Sequence, residues 1–136
     1  MSPEECIERM TSAPVAVLGT IGGKGAHLVP IVFALDGPNR LVTAVDHKPK
    51  STRALRRLDN IRTDPRVTVL ASGYHDDWDR LWWVRAEGTA RVDDDPEAVA
   101  AAARLLAEKY PQYGVTPPAG PLIDVTVGRW SGWTAT

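Results

Sequence analysis

The sequence predicts an α+β fold: a mainly antiparallel sheet or small barrel of six strands, with about three flanking helices. Three observations carry the prediction. Short apolar runs are separated by glycine, proline and aspartate turn signals, as in consecutive hairpins. In three places the pattern shifts to helical caps and helical spacing. Helices interrupt the run of strands only after the third and after the fifth, so the order is not the steady alternation of a parallel α/β sheet. With 136 residues, the chain has the size of one domain with a single core.

Ser2, Pro3 and Glu5 supply a cap, a first-turn proline and a reciprocal carboxylate, so a helix is expected from about Pro3 to Met10 with Cys6, Ile7 and Met10 on its buried side. "VAVLGTI" and "AHLVPIVFAL" flank the turn "GGKG" and read as a hairpin. Pro30 within the second run marks an edge or a bulge. The turn "DGPN" leads to a third strand, "RLVTAVD". From Ser51 to Arg62, apolar Ala54, Leu55, Leu58 and Ile61 follow the 3.6-residue period, with Ser51 as N-cap. "DPRVTVLASGY" is a turn and a strand, and "RLWWVRAEGTARV" a long, bent one. Alternation places Trp82, Val84 and Ala86 on its core face and Leu81, Trp83, Arg85 and Glu87 on the other. Asp95 and Pro96 open an alanine-rich helix that must end near Tyr110, because Pro111 disfavours helical geometry before it. The loop "PQYGVTPPAGP" then enters the last strand, "LIDVTVGRW", and the tail "SGWTAT".

Composition narrows the function classes. Hydrophobic residues at 43% and charged residues at 24% are ordinary for a soluble domain, and no apolar run reaches the roughly 18 residues of a membrane span. The opening "MSPEECIERM" lacks the apolar stretch of a secretory signal. A lone Cys6 cannot form an intrachain disulfide, which fits a cytoplasmic location. A net charge of −1 lacks the broad positive footprint of a dedicated nucleic-acid binder.

Motifs for metal or nucleophilic chemistry are missing. "GTIGGKG" is a hairpin turn rather than a P-loop, since its spacing and flanking strands are wrong. His27, His47 and His75 lack the spacing of a metal cage, and "DDWD" and "DDDP" read as a solvated turn and a helix cap. The distinctive feature is a basic run. Between Asp46 and Arg66, Lys48, Lys50, Arg53, Arg56, Arg57, Arg62 and Arg66 face only Asp46, Asp59 and Asp64. On the predicted helix, Arg53, Arg56, Arg57 and Asn60 lie opposite the apolar positions, where solvent exposure is the default. Lys48, Lys50 and Ser51 instead gather at its N-terminus, where unsatisfied N–H groups and the helix dipole suit an anion. A phosphate site and a solvated helix start both remain open on this pattern alone. Five tryptophans against one phenylalanine add a second feature, since tryptophan suits pockets and interfaces with a polar edge. Trp83, sharing its face with Arg85, is a candidate cofactor wall or dimer contact.

Taken together, "GAHLVPIVFALDG", "LVTAVDHKPKS", "LRRLDNIRTDPRVTVL" and "DDWDRLWWVRAEGTARV" resemble the pyridoxamine 5'-phosphate oxidase-like FMN-binding split-barrel superfamily. They are most similar to its deazaflavin branch, whose members use coenzyme F420. The resemblance implies a six-stranded antiparallel split β-barrel acting as a homodimer, with cofactors in clefts between the subunits. It implies a phosphate held by Lys48, Lys50 and Ser51 with help from Arg57 and Asn60. The backbone of Val29, Pro30 and Ile31 would lie along the ring, Thr43 near the ribityl chain, and Trp78 or Trp83 would close the cleft. Where FMN oxidases of the superfamily carry an Arg-x-x-x-Leu-Lys pattern, this chain has His27-Leu28-Val29-Pro30-Ile31-Val32, which favours F420 over FMN. The expected activity is hydride transfer from reduced F420 to a small conjugated acceptor, with an FMN enzyme or a non-catalytic F420- or flavin-binding protein as alternatives. No catalytic side chain and no metal ligand is singled out, because the cofactor carries the hard chemistry.

Overall fold

The computed structural model describes residues 1–45 and 52–136, with only the backbone of 52–55. Its helices are α1 (Pro3–Ser12), α2 (Thr52–Thr63), α3 (Pro96–Lys109) and α4 (Gln112–Val115). Its strands are β1 (Ala16–Gly22), β2 (Gly25–Ile31), β3 (Ala34–Leu35), β4 (Arg40–Ala44), β5 (Arg66–Gly73), β6 (Trp82–Asp93) and β7 (Leu122–Thr134). The strands form one sheet in the order β2-β1-β5-β6-β7-β4-β3, and every neighbouring pair is antiparallel.

The sheet must curl. Strands β2 and β3 occupy its two opposite edges, yet only Val32 and Phe33 separate them in the chain. Three Cα steps reach at most about 11 Å, so the edges are drawn together and the sheet closes into a barrel, split where the ladder is interrupted. This break also explains the strand count. The run expected as one strand from Ala26 to Leu35 is cut at the split, giving seven strands among the described residues where six were predicted. Pro30 sits on an edge strand, as its missing N–H requires.

Side chains satisfy the backbone groups that the interruption leaves unladdered. Thr43 Oγ1 donates to the Val32 carbonyl at 2.8 Å. The Phe33 N–H donates to the Tyr110 hydroxyl at 3.3 Å, and that hydroxyl donates to the Pro14 carbonyl at 2.9 Å. The barrel interior holds Leu18, Phe33, Leu41, Val69, Val84 and Val125, all fully buried. Cys6 and Met10 from α1 and Leu58 and Ile61 from α2 close the same core. A second cluster joins Ala102 and Leu106 of α3 to Ala34, Val42 and Leu122. The long β6 keeps its ladder to β7 through a register shift between Glu87 and Gly88, where Gly128 of β7 is the extra residue and a Cβ on Gly88 would overlap the Thr126 carbonyl. Two departures from expectation lie near the C-terminus. Part of the predicted loop forms α4, and the predicted tail continues β7 because Trp133 finds a partner in Trp83. Among the described residues no helix is long and apolar enough to cross a membrane.

Candidate functional site

The first constituent of the site is the corner between α2 and the β1–β2 hairpin. Gly22 and Gly25 pair across a two-residue turn, and Gly25 adopts φ +108°, which glycine tolerates at no steric cost. Helix α2 lays Leu58 and Ile61 on the core behind β1. Asn60, 8% exposed, donates from Nδ2 to Thr20 Oγ1 at 3.0 Å. A Cβ on Gly22 would come within 2.9 Å of Asn60 Oδ1, so the glycine lets the hairpin close on the helix.

One turn earlier on α2, Arg57 is half-buried, and its Nε has no hydrogen-bond partner among the described residues. Burial holds its guanidinium below the usual arginine range. His27, opposite Thr20 in the hairpin register, likewise has a buried Nδ1 without a hydrogen-bond partner among the described residues. Burial, and then the charges of Arg56 and Arg57, hold its imidazole below the usual histidine value. No Asp or Glu occurs between Arg9 and Leu35. The acids nearest in sequence to Arg57 are engaged elsewhere: Asp59 lies 3.6 Å from Arg62 and Asp64 2.7 Å from Arg66. Among the described residues the corner is therefore positive and uncompensated. A half-buried cation without a partner costs free energy that a bound anion would recover.

Lys48, Lys50 and Ser51 lie outside the described residues, in the connection from β4 to α2. The structure thus brings Arg57 and Asn60 to one corner without describing the lysines expected beside them. It also gives Asn60 a partner of its own in Thr20, on the side facing the hairpin. The predicted solvated face of α2 is corrected in part, since Arg57 is half-buried and Asn60 buried.

The second constituent is the split. Val29 packs against the core, Ile31 is buried and Pro30 is exposed at the sheet edge. Thr43 is buried and holds the residue after Ile31 through the bond to Val32 described above, so the ring-side segment and Thr43 are neighbours. Across the split, the Lys109 amine stands 3.8 Å from the centre of the Phe33 ring. Its Nζ is buried without a hydrogen-bond partner among the described residues, and burial lowers its pKa to about 8. Neither Lys109 nor Tyr110 was expected from sequence to matter here. Their partner Phe33 lies 77 residues from Tyr110, and no local pattern signals such a contact.

Third is the outward wall of the barrel. The registers place Pro30, Val17, Leu70, Arg85 and Ser131 in one row across β2, β1, β5, β6 and β7. Trp83 sits one pleat along on the same side, half-buried, opposite Trp133 and with the Arg85 guanidinium 5.1 Å from its ring centre. The predicted alternation in β6 holds: Val84 and Ala86 are buried, and Trp82 packs on the core from the rim. Trp78 lies in a short helical turn, Trp78–Arg80, and is exposed. Trp83 and Pro30 therefore share a face, whereas Trp78 stands apart in the loop before β6.

Among solved structures, the chain is similar to the conserved hypothetical protein Rv2991 from Mycobacterium tuberculosis, with 26% identity and a TM-score of 0.79 over 99% of this chain and 86% of that one. It shares its fold with the FAD binding protein from Mycobacterium smegmatis (17% identity, TM-score 0.68, covering 98% and 96% of the two chains). The same holds for a FAD-binding protein from Mesorhizobium loti (17% identity, TM-score 0.71, covering 97% and 92%). None of the curated proteins matches the chain. The family model described as pyridoxamine 5'-phosphate oxidase matches residues 2–134, nearly the whole of this split barrel, and the chain belongs to that family.

Proposed function

We propose that the protein is an oxidoreductase that uses coenzyme F420 to transfer a hydride to a small conjugated acceptor, working as a cytoplasmic homodimer. The observation that carries an anionic cofactor is the corner left uncompensated among the described residues, where Arg57 Nε and His27 Nδ1 are buried without hydrogen-bond partners against a β1–β2 hairpin free of acids. Lys48, Lys50 and Ser51 at the start of α2 would hold the phosphate, with Arg57 completing the positive lining. Asn60 would fix that lining against the hairpin through Thr20. Val29, Pro30 and Ile31 offer backbone along the edge for a flat ring. Thr43 and Tyr110 hold the split beside that edge, and Trp83, or Trp78 from its loop, would shield the ring from water.

When bound, the cofactor supplies the hydride-transfer chemistry, and the protein contributes position, electrostatics and exclusion of water. The choice of F420 rests on the departure at His27 to Val32 from the FMN oxidase pattern. FMN, or binding without turnover, is the second reading, favoured by fold neighbours that are FAD-binding proteins. Titration of the purified protein with oxidised F420 and with FMN, followed by fluorescence, decides between them. Micromolar F420 binding with FMN at least about tenfold weaker is expected. Preference for FMN would overturn the F420 assignment, and binding of neither would overturn the cofactor reading itself.

A further inference from the structure

A cavity of about 630 Å³ lies along the flank of α3, and none of the residues that line it belongs to the corner, the split or the outward wall. Its floor is the helix. At 100° per residue, Pro96, Ala100, Ala103 and Ala107 fall within about 60° of one another, and the three alanines offer only methyl groups. Facing them stand Tyr113 and the pair Pro117 and Pro118. That wall is fixed at both ends. The Tyr113 N–H donates to the Tyr110 carbonyl at 3.0 Å, and the two tyrosine rings meet edge-on with centres 6.2 Å apart. At the other end Pro118 is buried and the Val45 N–H donates to the Pro121 carbonyl at 3.1 Å. A Cβ on Gly120 would overlap the Val45 carbonyl, so the chain is drawn in tightly there. A wall held off a row of alanines leaves a preformed trough, and its volume lies within the roughly 300–1,000 Å³ of small-molecule sites.

The charges on the trough identify its occupant. Asp94 stands where α3 begins, and Arg104 follows about 12 Å along the helix from Pro96. They are the only charged residues in the lining. Among the described residues neither side chain forms an ion pair or a hydrogen bond, and Arg104 is not paired even with Glu108 one turn along. An anionic head is attracted at Arg104 and repelled near Asp94, so the direction of a bound molecule is set. Between the two charges the floor is apolar, and an apolar tail laid on it is removed from water. A row of methyl groups opposite a single tyrosine suits a chain, whereas a flat ring gains most between aromatic faces.

We propose that this trough is a small-molecule site separate from the cofactor corner, and that it takes an aliphatic carboxylate of medium chain length. The head lies at Arg104 and the tail runs over Ala103 and Ala100 towards Pro96. The inference stands whether or not the protein binds F420. Calorimetric titration with decanoate tests it on the wild type, Arg104→Glu and Ala100→Phe, both substitutions at exposed positions, with thermal melts confirming that each variant folds. Decanoate should bind at one site per chain with a Kd of about 100 µM or tighter. Arg104→Glu replaces the partner of the head with a repelling charge, and Ala100→Phe fills the trough; each should weaken binding about tenfold or more. Decyltrimethylammonium carries the same tail on a cation and should bind the wild type about tenfold or more less tightly than decanoate. Decanoate binding that either variant leaves within about threefold belongs to another surface, the Arg57 corner included, and overturns the proposal. So does the absence of saturable binding up to about 1 mM decanoate, or equal affinity for the ammonium.

Discussion

Replacing Lys109 with Met keeps an aliphatic stem of similar length and removes a buried amine, and the variant is expected to be more stable than the wild type at neutral pH. The Lys109 Nζ has no hydrogen-bond partner among the described residues, and its pKa falls from 10.5 to about 8 because burial penalises the charge. For an amine wholly cut off from water, that difference would correspond to about 3 kcal/mol of strain at pH 7. The side chain is only half-buried, so solvent screening reduces the figure to the order of 1–2 kcal/mol. The attraction of the ammonium to the Phe33 ring, 3.8 Å away, returns part of this, leaving a gain of about 1 kcal/mol for the variant. The pH dependence has a definite sign. Between pH 8 and 10.5 the unfolded lysine still holds its proton while the folded one has released it, so wild-type stability rises with pH through that window. Below pH 8 the penalty is present in full. Urea unfolding of both proteins at pH 7 and pH 10 tests this, since the other titrating groups cancel in the difference. The advantage of Lys109→Met should be largest at pH 7 and largely gone at pH 10. An advantage of the same size at both values, or a variant less stable than wild type at pH 7, would refute the reasoning.

Tyr110→Phe removes the hydroxyl that joins Phe33 to Pro14. It should cost about 2 kcal/mol, or roughly 6 °C in Tm; a loss below about 0.5 kcal/mol by calorimetry would show that water replaces the hydroxyl at the split. Asn60→Ala strands the buried Thr20 hydroxyl and should lower stability by about 1–2 kcal/mol in urea melts. An unchanged melt would mean that the helix is not fastened to the hairpin through this bond. For the cofactor, Lys50→Ala should weaken F420 binding about tenfold, whereas Arg56→Ala, at an exposed position, should leave it nearly unchanged; equal affinities in a fluorescence titration would remove the phosphate assignment.

The fold was legible where local rules act alone. The first helix announces itself through Ser2, Pro3 and Glu5, and the structure shows Ser2 accepting from the Glu5 N–H. Asp95 and Pro96 mark α3 in the same way. The period of two in β6 separates Val84 and Ala86 from Trp83 and Arg85 because one residue's shift would move every side chain to the other face. The break at Val32 and Phe33 was not legible. Nothing in "VPIVFAL" distinguishes a continuous strand from one that crosses between sheet edges. What holds the break open is supplied by Thr43 and Tyr110, residues distant in sequence. The role of Trp133 was missed for a related reason: Ser131 and Gly132 read as the beginning of a tail, but the pairing offered by β6 decides strand length at a sheet interior.

The basic helix shows most clearly what a one-dimensional pattern can and cannot resolve. Opposing an arginine-rich face to an apolar face treats a helix as having one wet side, and Arg56 obeys that picture. Arg57 does not. At 100° per residue it lies only about 40° from Ile61, which is buried, and the β1–β2 hairpin walls that flank. A single step along the helix therefore separates an arginine kept in water from one whose Nε is buried without a partner among the described residues. The difference in burial turns a description of charge into an argument about binding. A solvated guanidinium is content with water, while a half-buried one beside an imidazole, with no acid from Arg9 to Leu35, is stabilised by an anion brought from outside. Arg57 thus has more to gain from a bound phosphate than Arg53 or Arg56 would on a fully solvated face, and the same charge makes different contributions at adjacent positions because their surroundings differ.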